Sequence, residues 1–287
     1  MGITTKKVIK EKIIKHWPIL AILFLMILFA FPYWAKGLVP FPGDYLVNAF
    51  PPWQYYYGHP VKNDALSDVV SQMYPWKHLV INFWQQGVIP LWNPYNFSGS
   101  PFLANYQSAV FHPFNWLFFL LPEIDAWSIL ILIQPLLAGF FTYLFCRELK
   151  LSQGASFLSG VAFMFSGFIT NWLAYGTMAH ALLWLPLVFY ALQKSFQKLR
   201  TWPLILISLS LAASFLSGHF QVSLYLLLGA GFFLLYQLIT TRKRRAFFFC
   251  SLFLVLGIGL VSLQLLPTFE LYQHSVRSLS LIHISEP

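Results

Sequence analysis

Charge is what this sequence has least of. Only 9% of its 287 residues are Asp, Glu, Lys or Arg, against about a quarter in an average soluble domain. So few charges cannot cover a soluble surface, and lipid has to be the solvent for much of the chain. Cysteine is scarce too, with Cys146 and Cys250 the two present. Both fall at or near expected cytoplasmic helix ends, which argues against a disulfide framework and for reduced, structurally neutral thiols. There is no Walker loop, no dinucleotide-binding glycine motif, no His-Glu-x-x-His zinc signature and no CxxC pair. ATP-driven transport by this chain alone and a Rossmann-type nucleotide-sugar domain are therefore not expected. The apolar runs also lack the period-two alternation of an outer-membrane barrel.

What the sequence has in abundance is apolar surface, at 58% hydrophobic residues and a mean hydropathy of +0.64. Several runs approach or exceed the roughly 20 residues that cross a bilayer as a helix. The fold class expected is an all-α integral membrane protein, with about seven transmembrane helices and a large helical first extracytoplasmic loop. A basic N-terminus covers residues 1–16 and a first transmembrane helix 17–35. That first run is followed by aromatics and proline rather than a small-residue cleavage site, so it reads as retained and not as a signal peptide. The large loop, with interfacial helices, occupies 36–125. Six further spans fill 126–267, near 127–145, 155–169, 176–192, 202–215, 220–239 and 247–266, and an extracytoplasmic segment covers 268–279. The stretch from Ser280 to Pro287 reads as non-native read-through, and the chain as a truncated one.

The net charge of +9 would suggest nucleic acid in a soluble protein. Here the basic residues lie in short clusters between apolar runs. With a cytoplasmic N-terminus, alternating the spans places fourteen of the eighteen Lys and Arg inside, as the positive-inside rule demands. A multi-pass protein of the bacterial cytoplasmic membrane follows, with lipids as partners and no nucleic acid. Asp44, Asp64, Asp68, Glu123, Asp125 and Glu270 then lie outside, with most of the histidines. Acid–base chemistry would belong to the outer surface.

The first loop contains an internal echo. Asp44-Tyr-Leu-Val-Asn-Ala-Phe-Pro and Asp68-Val-Val-Ser-Gln-Met-Tyr-Pro share the pattern Asp-x-x-x-(Asn or Gln)-x-aromatic-Pro, with Trp53 and Trp76 just beyond. On a helix, Asp and the amide four residues later share a face, and proline then ends or kinks the turn. A carboxylate beside an amide, with aromatics near, suits a sugar: Asp68 in preference to Asp44 as the acting carboxylate, Gln72, Tyr74 and Trp76 as binding groups. The alternative is an interfacial amphipathic helix with an Asp N-cap. Farther along, Trp92, Asn93, Asn96, Asn105, Gln107 and His112 lie in a segment dense in Asn, Ser, Gly and Pro, which specifies turns. They could bind a hydroxylated ligand or simply satisfy loop backbone. His180, Gly218-His219-Phe220-Gln221 and Gln264 through Glu270 and Arg277 fall at outer helix ends, where polar groups can cap a neighbour or join a site.

On these stretches (Asp68 through Trp76, Pro90-Leu91-Trp92-Asn93-Pro94 through Pro113, Gly218 through Gln221, Gln264 through Arg277) the chain resembles the bacterial YfhO-like membrane proteins. That family is similar in layout to the GT-C membrane glycosyltransferases. The resemblance implies a polyprenyl-phosphate-linked sugar as donor, a cell-envelope polymer such as a teichoic acid as acceptor, and an acidic residue of the first external loop as base or metal ligand. Arg277 or a divalent metal would then steady the leaving phosphate. Family members are usually longer. A non-catalytic lipid or glycolipid transporter, or an envelope-assembly factor, is the competing reading. Mid-span positions are mostly apolar, Gln134-Pro135 being the main exception, and this favours the enzyme.

Overall fold

The computed structural model describes residues 2–58, 60, 63–96 and 98–275. The chain opens with α1 (Gly2–Phe29) and α2 (Phe31–Lys36), which ends at a left-handed Gly37. The first loop then folds as short pieces. α3 (Asp44–Ala49) stops at an extended Phe50, and Pro51 opens α4 (Pro51–Tyr57), where its missing N–H costs nothing. A π-helical turn (Val69–Met73) runs directly into α5 (Tyr74–Gln85). Trp92–Asn93 (β1) pairs antiparallel with Ser100–Pro101 (β2), with Trp92 opposite Pro101. α6 (Leu117–Leu120) closes the loop.

The bundle follows: α7 (Glu123–Glu148), α8 (Gln153–Met164), α9 (Gly167–Asn171) and α10 (Met178–Leu182). Then come α11 (Leu185–Gln197), α12 (Thr201–Leu216), α13 (Phe220–Thr241), α14 (Arg244–Leu260) and α15 (Ser262–Gln273). Side-chain caps fix several starts: the Ser152 hydroxyl accepts from Ala155 N–H at 3.2 Å, and Ser166 does the same for α9. Small residues bring the helices close. A Cβ on Gly160 would sit 2.8 Å from the Gly139 carbonyl, and one on Gly257 would sit 3.0 Å from that of Ser208. These contacts join α8 to α7 and α14 to α12 as small-residue interfaces do in membrane helices.

The fold is all-helical apart from the two-residue strand pair. Two helices, α7 and α13, are long and apolar enough to cross a membrane. α14 and α15, bent by 66° at their junction, make a third if taken as one span. Seven hydropathic runs are present, but several are not single helices of spanning length. The third is interrupted at Phe165–Ser166, and the fourth at Gly176–Thr177 and again at Leu183–Trp184. Hydropathy averages over a window and does not register a capping serine or the left-handed Gly176.

The two ends of the bundle differ. At one end Lys194 pairs with Glu148 at 2.9 Å, Gln197 donates to the Glu148 carbonyl, and Lys243 donates to Phe196 O at 2.5 Å. At the other end the first loop is seated. Its core, with Val69, Met73, Trp76, Val80, Phe102 and Val110, is continuous with Trp127, Leu130 and Ile131 of α7. Tyr106 donates to the Phe215 carbonyl, and Gln264 and Thr268 of α15 donate to Leu103 O and Ala104 O at 2.7 and 3.0 Å.

Candidate functional site

A cavity of about 770 Å³ separates the first loop from the bundle. Pro40, Phe41, Asp44, Asn63 and Leu66 line it from the loop; Ile131, Thr170, Asn171, Leu173 and Ala174 line it from the bundle. Phe41 is fixed by the rings of Tyr74 at 5.1 Å and Trp127 at 6.4 Å, and the Trp127 indole donates to Pro40 O at 3.4 Å. Asp44 is the first residue of α3, and Gly43, not Asp44, is the cap. One carboxylate, two amides and a hydroxyl thus share a largely apolar, open cleft, which suits an amphiphile with a polar head.

Asp68 stands outside that wall. It is exposed, and Gln72 Nε2 donates to its Oδ1 at 3.2 Å, the i to i+4 pairing read from the motif. No side-chain cap forms at Asp68, so the N-cap alternative is not realised at either Asp. Pro75 does not end the turn; it lies in the first turn of α5, where a ring is tolerated. Trp76 is turned into the loop core at 9% exposure. Tyr74 is half-buried against Phe41 and Trp127. Burial, then the Glu123 carboxylate it bonds, push its hydroxyl up to about 12. The Asp68 charge, after burial, also raises the Tyr175 hydroxyl, which donates to Ala65 O at 2.6 Å.

A second, smaller cavity of about 320 Å³ opens beside α5, lined by Ser71, Trp76, His78, Asn82, Asn93, Tyr95 and Asn96 among others. Here Glu123 holds His78 Nδ1 at 2.8 Å, and His78 Nε2 meets Asn82 Nδ2 at 2.9 Å. Asn93 is buried, and its Oδ1 accepts from Tyr95 N–H at 2.9 Å.

Beneath the loop lies a buried polar cluster that the sequence did not disclose. Lys77, 5% exposed, donates to Asn115 Oδ1 at 2.7 Å. Asn115 in turn donates to Val110 O at 2.8 Å. His112 and His180 meet edge to face with ring centroids 4.7 Å apart. His112 Nδ1 accepts from Phe114 N–H, and His180 Nε2–H donates to Leu130 O, 2.8 Å away. Their other ring nitrogens are buried without a partner, as is Gln134 Oε1. Burial lowers the Lys77 ammonium to about 7, and burial with the Lys77 and His180 charges holds His112 well below its ordinary value.

The remaining residues separate. Trp92 is half-exposed and lies over Gly99, where a Cβ would fall 2.5 Å from its indole nitrogen. Asn96 accepts the Gly99 N–H through its carbonyl. Asn105 Oδ1 accepts from Gln107 N–H at 3.3 Å, a turn-forming bond. His219 caps α13 through Nδ1 and Val222 N–H at 3.3 Å. Gln221 is exposed and bonds Tyr225. What joins this motif to the loop is Gly218, whose added Cβ would meet Ala109 at 2.8 Å, and Phe220, packed on Tyr106 at 5.7 Å. Glu270 is exposed on α15, and Arg277 lies outside the described residues. No group of three or more His, Cys, Asp or Glu side chains able to hold a metal ion stands together among the described residues.

Long apolar helices, a basic end and a folded loop seated on the opposite end define an all-α membrane protein. More narrowly, the chain belongs to the family of the bacterial membrane protein YfhO, whose model matches residues 55–285. No curated protein and no solved structure matches it.

Proposed function

We propose that the chain is a membrane glycosyltransferase, moving a sugar from a polyprenyl-phosphate-linked donor to a cell-envelope acceptor. In this reading the seven hydropathic runs cross the cytoplasmic membrane as straight or broken spans. The N-terminus is cytoplasmic, and the first loop faces out. The observation that carries the reading is the 770 Å³ cavity with Asp44 in its wall. Apolar residues dominate the lining, and one carboxylate, two amides and a hydroxyl are among the rest, a composition that suits a lipid-linked sugar head.

For transfer, the acceptor oxygen forms a bond to the anomeric carbon while the bond from that carbon to the phosphate oxygen breaks. The leaving phosphate keeps the electron pair, and a carboxylate takes the acceptor hydroxyl proton. Asp44, in the cavity wall, and Asp68, on the exposed side with Gln72, are the two candidates for that role. Loss of a general base costs about 10² to 10⁴ in rate. Asp44→Asn should therefore abolish transfer of a radiolabelled polyprenyl-phosphate sugar in membranes carrying the full-length protein, with its level unchanged. Activity surviving in both Asp44→Asn and Asp68→Asn would overturn the assignment.

One observation supports the competing transporter reading: the helix breaks at 165–166, 176–177 and 183–184, since transporters build sites from discontinuous helices. Lipid-linked sugar crossing vesicles at the wild-type rate in Asp44→Asn, with no transfer in either protein, would select it.

A further inference from the structure

We propose that the smaller cavity beside α5 is a second, separate binding site, for a neutral hydroxylated ring such as a hexose unit of a glycan. It goes beyond the transfer reading and does not depend on it.

The case begins with how the amides are pinned. Glu123 accepts from Nδ1–H of His78, with both carboxylate oxygens 2.8 Å away. That bond fixes the ring's orientation and leaves Nε2 as the acceptor. Asn82 Nδ2, one helical turn on, donates to it at 2.9 Å. What Asn82 can then offer a ligand is chiefly its carbonyl oxygen. Asn93 is pinned the opposite way. Its Oδ1 is taken by Tyr95 N–H at 2.9 Å, so what it can offer is its amide N–H. One cavity thus presents a fixed acceptor and a fixed donor. A hydroxyl is at once donor and acceptor, and two neighbouring hydroxyls on a ring can engage both together.

The rest of the lining agrees. Ser71 spends its hydroxyl hydrogen on Ser67 O at 3.0 Å and retains oxygen lone pairs. Tyr95, 80% exposed at the rim, offers an aromatic face to the apolar side of a ring. Every wall side chain is uncharged with His78 in that tautomer, and the Glu123 carboxylate, which is not part of the lining, is engaged by His78 Nδ1–H. A free anion or cation therefore has no counter-charge here, which selects a neutral ligand. The volume of about 320 Å³ lies at the small end for ligand sites, enough for one ring.

The test uses the purified full chain in lipid nanodiscs and a photoactivatable diazirine methyl hexoside, with labelling mapped by mass spectrometry. Competable labelling should fall within residues 71–96. It should drop about tenfold in Asn82→Ala and in His78→Ala, the loss of one fixed hydrogen bond, and similarly in Tyr95→Ala, with thermal midpoints retained. Asp44→Asn should label as the wild type does. Labelling that maps elsewhere, that is absent, or that is indifferent to His78→Ala overturns the proposal. Since no transfer is needed for the readout, inactivity in the transfer assay leaves this result intact.

Discussion

Gly218 and Ala109 touch backbone to side chain across the junction of bundle and loop. Gly218 has φ +90°, and a Cβ there would come within 2.8 Å of the Ala109 Cβ and 3.1 Å of a Thr177 methyl. Left-handed backbone and close approach coincide at one residue. Both are requirements that only glycine meets without strain.

Gly218→Ala should consequently destabilise the protein by about 1–3 kcal/mol, combining the φ penalty with overpacking against Ala109. Gly231, where a Cβ meets open space, is the control: its alanine variant should cost nothing and may be read against it in the same thermal melt. Faster proteolysis of the first loop in Gly218→Ala alone would place the damage at the junction. Equal melting of the two variants would show that this contact does not hold the loop.

The clasp from α15 makes a second test. Gln264 and Thr268 lie one turn apart and donate to adjacent loop carbonyls, Leu103 O and Ala104 O. Gln264→Leu or Thr268→Val leaves a largely buried carbonyl unpaired, at about 1–3 kcal/mol each. Because the two act on one strand of backbone, the double variant should cost less than the sum, a coupling that a double-mutant cycle in chemical denaturation would read. Strict additivity would mean that the two bonds hold the loop independently.

Much of this was legible in the sequence where the physics is local. Hydropathy gives the helical membrane class, and four-residue spacing gives the Asp68–Gln72 hydrogen bond. The Gly218-His219-Phe220-Gln221 segment is conspicuous in the sequence for its polar groups, yet its long-range contacts come from the other two residues. His219 serves its own helix as a cap, and Gly218 and Phe220 make the long-range contacts. The same limit hid Lys77. Read locally it is one more basic residue of an outer loop, whereas its partner Asn115 lies 38 positions on and His180 comes from the bundle. His78 and Glu123 were visible as acid–base residues, but 45 positions separate them. No local pattern announces a pair at that distance.

The orientation proposed for the membrane has a direct check. Asn63 is exposed on the loop, and Leu151, 41% exposed, follows Arg147 and Lys150 at the basic end. In intact cells, Asn63→Cys in a background lacking Cys146 and Cys250 should react with an impermeant maleimide, and Leu151→Cys should react only after permeabilisation. The reverse pattern would invert the topology, and with it the side on which the Asp44 cavity opens.

The buried Lys77 makes stability depend on pH in a direction that can be worked out. Its ammonium is lowered in the fold from 10.5 to about 7 by burial, so between those values the unfolded chain binds a proton that the folded one does not. Stability should therefore rise as pH rises from about 7 to about 10.5, with a slope approaching ~1.4 kcal/mol per pH unit. His112, held well below 6.5 by burial and by Lys77 and His180, adds a second loss as pH falls through about 6.5. Lys77→Met should flatten the upper limb and keep the lower one in reduced form, since burial still holds His112 down without the Lys77 charge. Its effect at pH 7 is smaller than the slope suggests, because Asn115 Oδ1 loses its donor at a cost of about 1–3 kcal/mol. The slope, not the midpoint at one pH, is the discriminating quantity. Thermal melts from pH 6 to pH 10 that run parallel in wild type and Lys77→Met would show that Lys77 keeps its proton in the fold, through a counter-charge or water at the vacant nitrogens of His112 and His180.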